Sequence, residues 1–258
     1  MKNKKEQAIN WIFKDKYNEK WNPKILEDIR RYQAGEPIDY IIGWKPFLNC
    51  KIDLSLKPLI PRPETEYWTE RFLYQLSTKN LELRTIKVLD IFAGSGCIGI
   101  AVLKNSKNTH VDFAEIDPRL IKQIKINLKL NRIRLTRAKI IRSDVFSALK
   151  SNPRQWRGKY DFILANPPYI RTKKSVQRNV LKYEPKKALF GGKNGMFYIK
   201  KFLAEAKRYL NPNGEIWMEF LPEQKSTLTK IIKKYDYQNW QFYKDQYERW
   251  RCIVVTKI

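Results

Sequence analysis

The tetrapeptide Asn166-Pro167-Pro168-Tyr169 combines residue types that can orient a planar amino group. It follows the apolar run Phe162-Ile163-Leu164, so it stands at the end of a predicted strand. Each proline fixes its own φ angle and lacks an N–H, and each holds the residue before it in an extended conformation. A rigidly held carboxamide oxygen and the backbone carbonyls after it can accept both protons of an –NH2 group. An ordinary Pro-rich strand exit is the alternative, and the complete tetrapeptide favours the catalytic interpretation.

Alternating strands and helices from residue 86 onward must position this motif. Such alternation predicts a mostly parallel sheet that is covered by helices on both faces. The predicted strands span residues 86–92, 110–116, 139–142, 160–165, 214–221 and 251–257, and the predicted helices span 97–103, 119–130, 197–210 and 224–235.

The first 60 residues have a different pattern. Residues 1–34 contain two amphipathic helical stretches, and Gly35-Glu36-Pro37 ends them. Residues 38–60 resemble a short hairpin, with Tyr40-Ile41-Ile42 in its first strand and a turn near Asn49. We therefore predict a small helical N-terminal domain (1–36), a linking β-hairpin (37–60) and a main domain (61–258).

A glycine-rich loop and several strand-end acids suggest the cofactor. Residues 94–99 match G-x-G-x-x-G between a strand and a helix, and Glu115 lies near the end of the next strand, at the spacing of a ribose-binding acid. The loop alone also fits a dinucleotide. However, the Asp90 carboxylate would repel a pyrophosphate and attract a sulfonium and an ammonium group, and Asp144 suits an adenine amino group. The pattern therefore fits S-adenosyl-L-methionine, unless Asp90 is simply a solvated acid.

These polar residues should meet at one edge of the sheet. Ligands of open parallel sheets bind beyond the carboxyl ends of the strands. Asp90, Glu115, Asp144 and Asn166 all lie at or just after predicted strand ends. Four such residues at one edge predict a single site.

The charge of the chain leaves two interpretations open. Lys and Arg number 52 and Asp and Glu 26, which gives a net charge of +26 spread along the whole sequence. This excess reflects either compositional bias or a polyanionic partner, so nonspecific contact with nucleic acid is expected.

The remaining composition favours a cytoplasmic protein without a metal. The three cysteines show no C-x-x-C spacing, and the single histidine, His110, is expected at the surface without a partner. The sequence has neither the apolar start of a signal peptide nor an apolar run near the ~18 residues that span a bilayer. We therefore expect no disulfide framework, no metal site and no membrane segment.

Taken together, the motifs resemble those of the peptide chain release factor glutamine methyltransferases. The six residues Pro61-Arg62-Pro63-Glu64-Thr65-Glu66 carry the most specific part of this resemblance, because the Asn-Pro-Pro-Tyr motif also occurs in adenine methyltransferases. The segments that contain Asp90 to Gly99 and Tyr183-Glu184-Pro185 also resemble that family. From about residue 35, the resemblance covers nearly the whole chain.

The resemblance implies a Rossmann-like class I methyltransferase fold with an antiparallel C-terminal strand. It also implies methyl transfer from S-adenosyl-L-methionine to the Gln of a release factor's Gly-Gly-Gln loop. We expect the protein to be a monomer. The implied catalytic residues are Asn166, Pro167 and Tyr169. The implied cofactor contacts are Asp90, Ala93, Gly94, Gly96, Glu115, Asp144, Val145, Asn166 and Thr65. The implied substrate contacts are Asn166, Pro167, Pro168, Tyr169, Pro63, Glu64 and Glu184, although Glu184 can equally be a plain turn residue.

Other activities share parts of this pattern. An adenine-amino methyltransferase of DNA or rRNA has the same loop and tetrapeptide, and the charge of +26 favours it. A glutamine methyltransferase of a ribosomal protein is a third candidate, and a basic scaffold without cofactor affinity is a fourth. The sequence departs from the family in its short N-terminal helical segment and in Glu219-Phe220-Leu221-Pro222, which lacks the glycine common after the acid of that strand.

Overall fold

A computed structural model describes residues 2–79, 84–150, 156 and 158–257 of the chain, with side chains from residue 6 onward. The helices are α1 (Lys2–Trp11), continued by a π-helix (Ile12–Lys16), α2 (Lys24–Gln33), α3 (Ile38–Ile42), α4 (Pro63–Thr78), α5 (Cys97–Asn105), α6 (Pro118–Leu130), α7 (Ser147–Lys150), α8 (Arg178–Tyr183), α9 (Lys186–Leu189), α10 (Phe197–Ala206) and α11 (Lys225–Lys234). The strands are β1 (Trp44–Phe47), β2 (Cys50–Asp53), β3 (Ile86–Ile91), β4 (Thr109–Glu115), β5 (Ala138–Arg142), β6 (Tyr160–Ala165), β7 (Leu210–Glu219), β8 (Asn239–Lys244) and β9 (Trp250–Thr256).

Seven of these strands form one sheet in the order β5-β4-β3-β6-β7-β9-β8. The five strands β5, β4, β3, β6 and β7 pair with one another in parallel, whereas β9 is antiparallel to both β7 and β8. The predicted mostly parallel sheet with an antiparallel C-terminal strand is therefore confirmed. The edge strand β8 was not predicted, because its exposed and half-buried residues give no continuous apolar run.

The central strands are buried because helices cover both faces of the sheet. All six residues of β6 are buried, as expected for a strand that lies between two neighbours under two helical layers. On one face Phe72 of α4 packs edge-to-face against Phe162 and Trp217, with ring centroids 5.1 and 5.4 Å apart. On the other face Phe146 stacks on Phe202 of α10.

The N-terminal region corrects one prediction. Tyr40, Ile41 and Ile42 belong to α3 and not to the first strand of the hairpin. Gly43 ends this helix with a left-handed φ of +92°, and its N–H donates to the carbonyl of Asp39. The hairpin itself comprises only β1 and β2. The sequence did not reveal α3, because a helix of five residues is too short to show helical periodicity.

Two amide side chains of α6 and that of Asn131, the residue directly after this helix, hold the hairpin and the segment that follows it against the main domain. The backbone N–H groups of Lys51, Asp53 and Leu56 donate to the side-chain oxygens of Asn131, Asn127 and Gln123, at 3.0, 2.7 and 2.9 Å respectively. The three amides recur every four residues and so share one face of the helix. They anchor the chain just before the Pro61–Glu66 segment reaches the functional site.

His110 also differs from its expectation. It is half-buried and not solvent-exposed, and its Nε2 lies 3.0 Å from the Asp112 carboxylate, two residues further along β4. Side chains two residues apart lie on the same face of a strand, which explains the contact. Among the described residues, no helix is long and apolar enough to cross a membrane.

Candidate active site

A cavity of about 300 Å³ opens where the parallel strands end. Loops after β3, β4, β5 and β6 form one part of its lining, and the segment before α4 forms another. Ala93, Gly94, Glu115, Asp144, Val145 and Asn166, all predicted site residues, line this cavity together with Thr65 and Pro168. Among the residues that the structure describes, no group of three His, Cys, Asp or Glu side chains could hold a metal ion.

The loop after β3 needs its glycines for two different reasons. Gly94 and Gly96 have left-handed φ angles of +57° and +79°, a conformation that other residues adopt at a cost. Gly99 lies in α5, where a Cβ atom would collide with the ring of Phe113 and lie 2.9 Å from the carboxylate of Asp90. The third glycine therefore allows α5 to pack closely on the sheet.

Glu115 fastens this loop to the end of β4. Its Oε2 accepts the N–H of Gly94, and its Oε1 accepts those of Ile116 and Asp117, each at 2.8 Å. Burial raises the pKa of Glu115 above its ordinary value, although the three N–H groups limit that rise. A carboxylate has about four acceptor positions, so one position on Oε2 is left for a ribose hydroxyl. A second ribose hydroxyl could bind this carboxylate only by replacing one of these N–H donors.

Asp90 lies behind the loop and not in the cavity wall. It is fully buried; its Oδ2 accepts the N–H of Gly99 at 2.9 Å, and its Oδ1 has no partner among the described residues. Burial raises the pKa of Asp90 to about 8; the N–H of Gly99 opposes this shift, and the charge of Glu115 adds to it. A buried carboxyl group with an unpaired oxygen lacks a compensating cation. This arrangement fits a cofactor that carries positive charge beside the loop.

The acceptor side of the cavity centres on Asn166. Its Nδ2 donates to the Thr65 hydroxyl at 3.1 Å, and this hydroxyl donates to Oε2 of Glu219 at 2.7 Å. Glu219 is only 1% exposed, and it also accepts the Trp68 indole N–H at 2.8 Å and the Tyr169 hydroxyl at 2.6 Å. Glu219 was not predicted as a site residue, although the sequence showed it as the acid near the end of the predicted strand 214–221.

The other predicted substrate residues lie around the cavity, but several of them do not contribute to its lining. Glu184 is buried, its Oε1 pairs with the Arg62 guanidinium at 2.6 Å, and its Oε2 accepts the N–H of Ile60 at 3.1 Å. Both oxygens thus fasten the segment before α4. Pro63, Glu64, Pro167 and Tyr169 lie in the first turn of α4 or in the catalytic motif but are not part of the cavity lining. Their contacts with a substrate remain predictions.

Known proteins resemble this chain in sequence. A sequence profile of the Methyltransferase small domain family matches residues 68–189. The release factor glutamine methyltransferase of Flavobacterium psychrophilum is 32% identical over 92% of this chain and 79% of its own length. The same-named protein of Borreliella burgdorferi is 31% identical over 99% of this chain and 85% of its own length. The chain belongs to the release factor glutamine methyltransferase family.

Solved structures place the fold of this family member among class I methyltransferases. The N-terminal domain of human METTL16, solved in complex with SAH, superposes with a TM-score of 0.56 and 16% sequence identity, over 81% of this chain and 76% of that chain. At this level of identity the likeness concerns the fold alone. It agrees with the sheet topology described above.

The buried Asp90 predicts an unusual pH dependence of stability. The folded protein without cofactor keeps a proton on Asp90 up to about pH 8, whereas the unfolded chain loses it near the ordinary value of 3.8. The free energy of unfolding should therefore fall as the pH rises between these two values, with a slope of at most about 1.4 kcal/mol per pH unit. Asp90→Asn removes this loss, so its stability advantage over the parent should be larger at pH 9 than at pH 5.

Urea unfolding at pH 5, 7 and 9 without cofactor measures this difference. Asp144→Asn is the matched control, because it makes the same substitution at a side chain that is 44% exposed. A stability difference between Asp90→Asn and the parent that stays constant from pH 5 to 9 would contradict the assignment.

Proposed function

We propose that this enzyme transfers a methyl group from S-adenosyl-L-methionine to the side-chain amide of the Gln in the Gly-Gly-Gln loop of a peptide chain release factor. The names of the relatives support this acceptor. The observation that carries the proposal is the position of Asn166: it lines the cavity while its Nδ2 is engaged by Thr65. Its Oδ1 is therefore the atom available to accept a proton from a substrate –NH2 group.

Several features of the cofactor end of the cavity support this ligand. Gly94 and Ala93 allow close approach of the backbone, Glu115 offers one acceptor to the ribose, and Asp144 and Val145 lie at the predicted adenine position. Asp90 lies behind the loop, where a bound cation would favour loss of its proton, and Gly96 is the N-cap residue of α5. When bound, S-adenosyl-L-methionine supplies an electrophilic methyl group on a positively charged sulfur.

The residues of the motif have to position a weak nucleophile. The lone pair of a carboxamide nitrogen is delocalised, so orientation contributes much of the rate, on the order of 7–11 kcal/mol in ideal systems. Asn166 Oδ1 and the carbonyl of Pro167 accept the two N–H protons and direct the nitrogen towards the methyl group. These hydrogen bonds strengthen as positive charge develops on the nitrogen. Tyr169 packs on the substrate amide, and Pro63, Glu64, Pro168 and Glu184 shape the entrance.

The proposal also covers the compartment, the oligomeric state and the domain arrangement of the enzyme. The enzyme acts as a cytoplasmic monomer, with the helical segment 1–36 and the hairpin segment 37–60 placed before the catalytic domain 61–258. Its charge of +26 gives nonspecific contact with nucleic acid that weakens steeply with salt. The names of the relatives do not favour adenine methylation, and methylation of a ribosomal protein or of adenine becomes an outcome of the experiment below.

Asn166→Ala should abolish transfer and leave cofactor affinity nearly unchanged. The substitution removes an orienting acceptor, and loss of one preorganised polar group typically costs about 10²-fold or more in turnover. Single-turnover assays at saturating cofactor measure the loss, and calorimetry measures the affinity. Asn239→Ala, on the edge strand β8, is the control and should behave like the parent. Turnover of Asn166→Ala within a few-fold of the parent would refute the mechanism.

Purified release factor should accept one methyl group on the Gln of its Gly-Gly-Gln loop. Mass spectrometry should find that modification with the parent enzyme and not with Asn166→Ala, and changing the acceptor Gln to Asn should abolish it. Adenine-containing oligonucleotides and ribosomal proteins incubated in parallel should stay unmodified. A methylated adenine or ribosomal protein together with unmodified release factor would establish one of the alternative activities instead.

A further inference from the structure

A second concave region, of about 760 Å³, begins two residues after Tyr169. Arg171, Lys193 and Lys200 contribute three cationic side chains to it, and we call it the basic groove. Its other polar lining residues are Thr172, Ser175, Asn194, Glu223, Gln224 and Thr227. Glu223 is therefore the only carboxylate among the described residues of the lining.

The basic groove shares a wall with the catalytic motif. Gln224 donates its side-chain N–H groups to the carbonyl oxygens of Tyr169 and Gly195, at 2.9 and 3.3 Å. A Cβ atom at Gly195 would collide with the Tyr169 carbonyl, so only glycine allows this close approach. A molecule bound in the groove would therefore lie against the same rigid backbone that holds Asn166.

Positive charge exceeds negative charge in and around the groove, whose lining has three cations and one carboxylate, Glu223. Residues 171–201 contain ten Lys and Arg residues and one carboxylate, Glu184. Glu184 is buried and already paired with Arg62, so it does not offset the surface charge. Within the described part of the chain, no ion pair involves Arg171, Lys193 or Lys200. The rim next to the catalytic motif therefore presents a strong positive potential.

We propose that the basic groove binds an acidic segment of the protein that supplies the acceptor glutamine. This inference rests on the proposed function. Carboxylates suit the lining, because guanidinium, ammonium, hydroxyl and amide groups can all donate to them. A single-stranded nucleic acid fits less well, since such ligands stack on aromatic side chains and no aromatic residue is among the described residues that line the groove.

Charge reversal in the groove tests this inference. The triple variant Arg171→Glu, Lys193→Glu, Lys200→Glu should raise KM for release factor by at least ~10-fold, because like charges would then face each other. Turnover at saturating release factor should stay within about twofold of the parent. The dissociation constant of the cofactor should also stay within about twofold, a change well below the tenfold that corresponds to about 1.4 kcal/mol. The matched control Lys122→Glu, Lys125→Glu, Lys129→Glu changes the net charge equally on α6, away from the groove, and should leave KM near the parent value.

The outcomes separate this inference from the proposed function. If the parent methylates release factor and the groove variant has a normal KM, the groove inference is wrong and the function stands. An equal rise of KM in the α6 control would show that overall charge, and not the groove, determines the affinity for release factor. That result would also overturn the groove inference. Loss of oligonucleotide binding with an unchanged KM would assign the groove to nucleic acid. The corresponding triple alanine variant, expected to give a smaller rise, replaces the glutamate variant if that one does not fold.

A different observation, the hydrogen bonds of Glu219, carries a second inference. An ionised carboxylate only accepts hydrogen bonds, and the Trp68 indole N–H can only donate. Burial and the Glu219 carboxylate hold the pKa of Tyr169 well above its ordinary range, so its hydroxyl keeps the proton that it donates. The Thr65 hydroxyl must likewise donate its single proton to Glu219.

The direction of these bonds determines the orientation of the Asn166 amide. Because the proton of the Thr65 hydroxyl points at Glu219, only its lone pairs remain to face Asn166. An amide –NH2 group can satisfy them, whereas an amide oxygen would repel them. We infer that Glu219 is a positioning residue that acts through Thr65 and turns the Asn166 oxygen towards the substrate.

Glu219→Gln is the direct test of this inference. A glutamine side chain can donate as well as accept, so the Thr65 hydroxyl loses its fixed direction and the Asn166 amide can flip. Turnover at saturating cofactor should fall about 10- to 100-fold, because small errors in position have effects of this size. The dissociation constant of the cofactor should change less than about threefold, well below a tenfold step.

A pair of variants at Thr65 separates positioning from packing. Thr65→Val removes the hydroxyl and should reproduce the loss seen with Glu219→Gln, whereas Thr65→Ser keeps the hydroxyl and should restore most of the turnover. Combining Glu219→Gln with Asn166→Ala should be no worse than Asn166→Ala alone, since both act on one interaction. Normal turnover of Glu219→Gln, or equal losses in the two Thr65 variants, would overturn the inference. If Glu219→Gln does not fold, the Thr65 pair decides alone.

Discussion

The parallel pairing of β3 with both β4 and β6 is the constraint on which the site depends. Ile91 at the end of β3 pairs with Ala114 on one side and with Ala165 on the other. The next residues of the two neighbours are Glu115, the last residue of β4, and Asn166, the first residue after β6, and both therefore lie level with the start of the glycine loop. A shift of either strand by one residue would turn these side chains to the opposite face. The register of these strands therefore determines which side chains reach the cavity.

The buried acids of the site differ in how well they are satisfied. Glu219 accepts three donors and Glu115 accepts three N–H groups, so both carboxylates are stabilised within the protein. Asp90 has one donor and one unpaired oxygen. The satisfied acids hold backbone and side chains in place. The unsatisfied acid lowers the stability of the protein without ligand at neutral pH, and in the proposed reaction a cationic ligand would remove that cost.

The sequence reveals local motifs more readily than contacts between residues that are far apart in the chain. The glycine loop, the strand-end acids and the Asn166 motif could be predicted, because each combines residue types that are rare together within a few positions. The Arg62–Glu184 pair could not be predicted, because its partners are 122 residues apart and the sequence around each one is typical of a solvent-exposed charged residue. The hydrogen bonds of Glu219 span 50 to 154 residues and were missed for the same reason. The α3 helix and the β8 edge strand were missed because their patterns are too short or too polar.

The distribution of charge in the site follows from what each end must bind. Asp90 and Glu115 place carboxylates beside the loop, where the proposed cofactor is cationic. At the acceptor end the groups that would meet a neutral amide are themselves neutral, Asn166 and a proline carbonyl, and the Glu219 carboxylate stands behind Thr65. A carboxylate in direct contact would compete for the cationic ligand and draw it out of position. Held one hydroxyl away, Glu219 can still favour positive charge developing on the acceptor nitrogen while it fixes the polarity of the amide that touches it.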